Sequence, residues 1–237
     1  MPSFRYLFYI SLCALVPGPT IVLAELVTYS TASSQFTPGT SNQGWWANNT
    51  ASVDTNDNYI AAQFGATVHR PFFTFDLADR TESALVATLF IQRESSSASN
   101  ELMETIEFFD VETSAAALNN NSGINTAIFA DLGSGQSYGS FTIDGSGPSG
   151  DILAFELNSV ALADINSSLG GFFSVGGVLD SAETGDYLFG FSGGFDVELV
   201  ISSIPEPSGL TLALTGALIV LPQRRRRSPL TDVECQS

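Results

Sequence analysis

The chain has 237 residues, 25 of them acidic and 8 basic, for a net charge of −17. So acidic a chain repels nucleic-acid phosphates, whose binding needs Lys and Arg to displace counterions, and a nucleic-acid partner is excluded. A single histidine excludes a histidine-rich zinc centre, and the two cysteines, at 13 and 235, leave the stretch between them without disulfide or thiol chemistry.

Met1 to Ala24 has the form of a secretory signal peptide. Arg5 gives the positive start, Tyr6 to Val16 are mostly apolar, and Pro17, Gly18 and Pro19 break the helix. Val22-Leu23-Ala24 supplies small residues for cleavage after Ala24, so the mature chain is expected to begin at Glu25. Residues 25–203 then carry only Arg70, Arg80 and Arg93 against 22 acids, a net charge of −19. About 180 residues suffice for one core without staples.

This domain reads as all-β. Short runs rich in β-branched and aromatic residues alternate with Gly, Ser, Asn and Asp. Strands are expected at Leu26–Tyr29, Asn58–Phe64, Pro71–Leu77, Ala84–Gln92, Thr105–Val111 and Thr126–Ala130. Others are expected at Ser137–Ile143, Ile152–Leu157, Phe172–Val175, Tyr187–Phe191 and Val197–Ile201. In PFFTFDL, Phe73, Phe75 and Leu77 share one face and Thr74 and Asp76 the other. ALVATLFIQ is almost continuously apolar, as a strand covered on both faces would be. Thr113–Leu118 and Ser159–Ser168 are the two helical segments, the second with Asn158 as N-cap. About eleven strands and one or two short helices predict an antiparallel, jelly-roll-like β-sandwich. Asp131 to Gly135 contains Gly-x-Gly but opens no helix, so it reads as a hairpin turn and not a phosphate loop.

Residues 31–58 form a long polar loop that holds both tryptophans, Trp45 and Trp46. Adjacent residues in an extended chain point to opposite faces, so one ring can pack inward and the other meet a ligand such as a sugar. Burial of both is the plainer expectation, given their apolar area. Asp54, Asn56 and Asn58 repeat at every second position with Asp57 between them, like the first half of a calcium loop. Position twelve of such a loop is Gly65 where an EF-hand needs Glu, and Asn/Asp clusters also simply make turns. Calcium is thus the candidate cofactor. His69, before Arg70-Pro71, reads as a loop or strand-edge residue, and no catalytic set is evident. Asn48, Asn120 and Asn166 begin Asn-x-Ser/Thr triplets, which mark surface loops.

After residue 203 the character changes. Pro205-Glu206-Pro207 halts regular structure, Gly209 to Leu221 carries no charge, and Arg224, Arg225, Arg226 and Arg227 follow. Thirteen residues make a helix of roughly 20 Å, short against a bilayer core of about 30 Å. The arginines would be retained on the cytoplasmic side as a stop-transfer cluster. These three parts in order resemble the PEP-CTERM sorting signal of Gram-negative bacteria, with Pro205, Glu206 and Pro207 matching the motif. The resemblance implies recognition and cutting by an exosortase-type membrane protease, and association with exopolysaccharide. Ten residues, Ser228 to Ser237, follow the arginines, where such proteins usually stop. NQGWW, DTNDNY, FFTFDL, ETIEFFDV and FFSVGG also look like an uncharacterised sandwich domain of exported bacterial proteins with this tail, over most of residues 35–201.

The organisation expected is therefore a signal peptide (1–24), a sandwich domain (25–203), a sorting signal (204–228) with a transmembrane helix near 208–222, and a short tail (229–237). The protein is expected to cross the inner membrane and reach the cell surface or matrix as a non-catalytic structural or carbohydrate-binding module. The alternative is a surface carbohydrate-active enzyme, a glycoside hydrolase or lyase, built on the same sandwich. With 22 acids present, some pair of carboxylates always lies at a suitable separation, so the acids alone do not argue for it.

Overall fold

The computed structural model describes residues 24–32, 35–37, 40–53, 55–56, 58–94, 102–180, 182–190 and 195–203. The residues expected to form the leader up to residue 23, the Pro-Glu-Pro motif, the segment expected to form the apolar helix and the four arginines lie outside these residues.

The described residues form, in order, β1 (Glu25–Ser30), β2 (Gln43–Ala47), β3 (Ile60–Phe64), β4 (Thr67–Asp76), β5 (Val86–Gln92) and β6 (Met103–Asp110). Helices α1 (Ala115–Asn119) and α2 (Thr126–Asp131) follow, then β7 (Ser137–Asp144), β8 (Ile152–Glu156), α3 (Ser159–Ser167), β9 (Phe172–Leu179), β10 (Tyr187–Phe189) and β11 (Glu198–Ser203). A four-stranded sheet runs β1-β11-β5-β8, and a seven-stranded sheet runs β10-β3-β4-β9-β6-β7 with β2 against β4. Every strand pairing is antiparallel. The all-β reading therefore holds, as two facing antiparallel sheets.

Alternation explains the core. Phe73 and Phe75 of β4, Ile106 and Phe108 of β6, Leu89 and Ile91 of β5, and Leu199 and Ile201 of β11 fill the space between the sheets. The other face of β4 is also covered. There Phe72 packs with Trp46 of β2, Leu118 of α1, and Ile128 and Leu132 of the α2 segment. Thr74, expected to face out, is instead fully buried and accepts a hydrogen bond from Asn119 Nδ2 at 3.0 Å. The strand covered on both faces is β4, where residues 71–75 are all buried. The expectation placed that role on ALVATLFIQ. It fails because no second layer of described residues shields the outer face of β5, and its burial alternates.

Strand β4 forks. Its 67–69 end pairs with β3 and its 72–76 end with β9 along one edge, while β2 lines the other. Thr74 donates to Asn42, so the even residues of β4 bond towards β2. The nitrogen of Pro71 then faces the gap between β3 and β9, where no ladder bond is lost. Gly177 leaves room for the ring, because a Cβ there would lie 3.0 Å from Pro71 Cγ.

Two short segments differ from expectation. Residues 126–130 form helix α2, not a strand. Asn125 caps it, its Oδ1 accepting from the amides of Ala127 at 3.1 Å and Ile128 at 3.2 Å. Asp131 to Gly135 consequently leads out of a helix into β7 and is not a hairpin turn. At the other end of α2, Arg70 donates from Nη1 to the carbonyl of Phe129 at 2.8 Å and lies 4.2 Å from its ring centroid. A cation there suits the negative end of the helix. Residues 43–47, expected as loop, form β2.

Candidate functional site

The registers of β2 and β4 separate the two tryptophans. Trp46 lies opposite Arg70 and turns to the α1/α2 side, where it is 2% exposed and donates from Nε1 to the Leu118 carbonyl at 3.1 Å. Trp45 lies opposite Pro71 and turns to the other side, where it is half-buried. Its Nε1–H is held by Asn58 Oδ1 at 2.8 Å, which fixes the ring.

Trp45 forms one wall of an aromatic hollow. The His69 ring stands edge-on to it at 4.7 Å between centroids, Phe64 lies 5.6 Å from His69, and Tyr187 lies 6.1 Å from Phe64. The hollow encloses about 290 Å³ and is lined by Trp45, Thr50, Asn58, Ile60, Phe64 and His69. Gly65, at φ +60, makes the tight turn between β3 and β4 that brings Phe64 and His69 to one place. His69 sits inside β4, paired with Ala47 on one side and Ala62 on the other, not at the strand edge or in a loop. Its Nδ1 is buried and has no hydrogen-bond partner among the described residues. Burial holds its pKa below the usual 6.5, so at neutral pH the ring is uncharged, with one nitrogen donating and the other accepting. An apolar aromatic wall beside a few polar groups is the chemistry of a small-ligand or sugar-ring site. Trp45 and Asn58 were legible as candidates in the sequence. His69 and Phe64 were not, because their meeting depends on the turn at residues 65–66.

A second, more polar groove of about 360 Å³ is lined by Asp110, Glu112, Tyr138, Asp164 and Ser174 among others. Two of its carboxylates are engaged. Asp164 Oδ2 accepts the Tyr138 hydroxyl at 2.9 Å, and Asp110 Oδ1 accepts the Gln136 amide at 2.6 Å. Burial, and then the bond to Asp164, push the Tyr138 hydroxyl well above its usual pKa of 10.

The four candidate calcium ligands do not form a set among the described residues. Asp54 and Asp57 lie outside these residues. Asn56 Oδ1 accepts the Asn58 amide at 3.2 Å, a turn, and Asn58 Oδ1 is committed to Trp45. No group of three or more His, Cys, Asp or Glu side chains suited to a metal occurs among the described residues. Nor is any described helix long and apolar enough to cross a membrane. Of the Asn-x-Ser/Thr positions, Asn166 is engaged with the backbone of Ala84 through both Oδ1, at 2.6 Å, and Nδ2, at 3.3 Å.

Comparison with known protein families finds no model that matches the chain, and comparison with curated proteins finds no match.

Proposed function

We propose that this is an exported, non-catalytic domain that binds carbohydrate of the cell surface or extracellular matrix through the Trp45–His69 hollow. The observation that carries the reading is Trp45 itself, half-buried and locked by Asn58 at the wall of a mostly apolar hollow. A rigid, partly open indole face is suited to the apolar face of a sugar ring. The neutral His69 supplies a hydrogen-bonding group for a hydroxyl. Delivery rests on the sequence: a leader up to Ala24, and the Pro205-Glu206-Pro207 tail with Arg224 to Arg227 as the stop-transfer cluster. An exosortase-type protease would cut that tail after export.

The finer architecture proposed is a jelly roll. The orders β1-β11-β5-β8 and β4-β9-β6-β7 support it, because these eight strands, taken in chain order, follow the two-sheet weave of that fold. Fold alone assigns no activity.

Affinity electrophoresis of the protein through gels containing a panel of acidic and neutral polysaccharides tests the reading. Retardation by at least one polymer, abolished by Trp45→Ala, is expected. No retardation by any of them, or unchanged retardation of the variant, would sink it. The alternative, a hydrolase or lyase, finds its support in the acidic groove. New reducing ends or unsaturated products from the same polymers, lost in Asp110→Asn or Asp164→Asn, would favour it instead.

A further inference from the structure

Residues Leu26 of β1, Ser202 of β11 and Val86 of β5 stand side by side across three strands of the four-stranded sheet. Their neighbours Ile201 and Ala87 point into the core, so this row points out. Leu85 adjoins the row, its amide bonded to the Ser202 carbonyl at 2.9 Å. Leu26, Leu85 and Val86 are 70%, 49% and 42% exposed. The cluster lies at the end of the sandwich where Glu25 pairs with Ser203. The chain therefore enters and leaves the domain beside it.

Length decides what can cover this patch. Five residues, 204–208, separate Ser203 from the start of the apolar run at Gly209. Fully extended, they span about 20 Å. A domain of about 180 residues is roughly 40 Å across. The tether is too short to let the opposite end, where Leu102, Met103 and Ile152 are exposed, turn towards the bilayer. We infer that Leu26, Leu85 and Val86 form a lipid-facing contact that seats the domain on the bilayer interface while the tail is intact. The inference rests on the reading of Gly209 to Leu221 as a membrane segment.

The test uses the full chain with Cys13→Ser and Cys235→Ser, inserted in phosphatidylcholine vesicles that carry a headgroup-linked nitroxide. A bimane label is placed at Thr28→Cys, exposed two residues along β1 from Leu26, or at Ser149→Cys, exposed at the opposite end. Quenching several-fold stronger at position 28 than at 149 is expected. Leu26→Ser, Leu85→Ser and Val86→Ser together should bring position 28 to the level of 149 with the near-ultraviolet circular dichroism unchanged. Equal quenching at both positions in carbonate-resistant vesicles overturns the contact and leaves the membrane segment standing. A chain that carbonate strips from the vesicles overturns the membrane segment, and the contact with it.

Discussion

Replacing the two tryptophans one at a time should separate stability from binding. Trp46 is 2% exposed and packed among Phe72, Leu118, Ile128 and Leu132, so Trp46→Ala removes a large buried ring and should cost about 3–5 kcal/mol. For a domain of this size each kcal/mol moves the midpoint by roughly 2–4 °C, so a fall of roughly 10 °C is expected. Trp46→Phe keeps most of the ring but leaves the Leu118 carbonyl unpaired, a loss of about 1–3 kcal/mol. Trp45→Ala removes a half-buried ring and one hydrogen bond to Asn58, so its midpoint should fall less than that of Trp46→Ala while polysaccharide binding disappears. Thermal unfolding followed by near-ultraviolet circular dichroism, beside affinity electrophoresis at a temperature where each variant is folded, reads both effects. The reasoning is refuted if the folded Trp46 variant loses binding and the Trp45 variant keeps it, or if Trp45→Ala destabilises as much as Trp46→Ala.

The remaining predictions concern packing, capping and pH. Gly176→Ala should destabilise by about 1–3 kcal/mol in denaturant unfolding, because a Cβ there meets the Leu132 backbone at 2.7–3.0 Å and backbone cannot step aside. Asn158→Ala should cost about 1–2 kcal/mol, since Asn158 caps α3 through the amides of Val160 and Ala161 and also donates to the Ser137 carbonyl; an unchanged midpoint contradicts this. Because burial lowers the pKa of His69, the unfolded chain takes up its proton first as pH falls below about 6.5. Stability present above that pH is thus lost as pH falls from about 6.5 through the folded pKa. His69 is the sole histidine, so His69→Gln should flatten the midpoint-against-pH curve between pH 7.5 and 5.5.

Local pattern carried most of the sheet into view and failed where tertiary cover changed the meaning of a residue. The alternation in PFFTFDL gave the face of Phe73 and Phe75 directly, but nothing local says that α1 and α2 bury Thr74 and Phe72 on the reverse. TAIFA at 126–130 has β-like composition. The signals for a helix were Asn125 as a cap and the four-residue spacing of Ile128 and Leu132, and both are weak in so short a segment. Strand β2 was hidden because Gln43-Gly44-Trp45-Trp46 sits amid Ser and Asn. What makes it a strand is pairing with β4, a partner more than twenty residues on. The candidate site was half legible for the same reason. Trp45 stood out by composition, whereas its neighbours His69 and Phe64 arrive through the turn at Gly65.

The hollow and the chain exit lie at opposite ends of the sandwich, and this separates binding from processing. Tyr59, next to Asn58 of the hollow, donates its hydroxyl to the Gln92 carbonyl at 2.6 Å, at the end of β5 remote from Val86. Val86 is the end that lies beside Ser202, next to the last described residue, Ser203. The seven residues of β5 span roughly 20 Å, about two and a half Debye lengths at physiological salt and about seven at 1 M salt, so a change of charge at residues 204–206 is screened from Trp45. Protein recovered with its tail intact and protein ending near Pro205 to Pro207 should therefore bind the same polysaccharide with affinities equal within about twofold. A large difference between the two forms would mean that the tail reaches the hollow or that binding takes place elsewhere, and the assignment of the site to Trp45 would have to be given up.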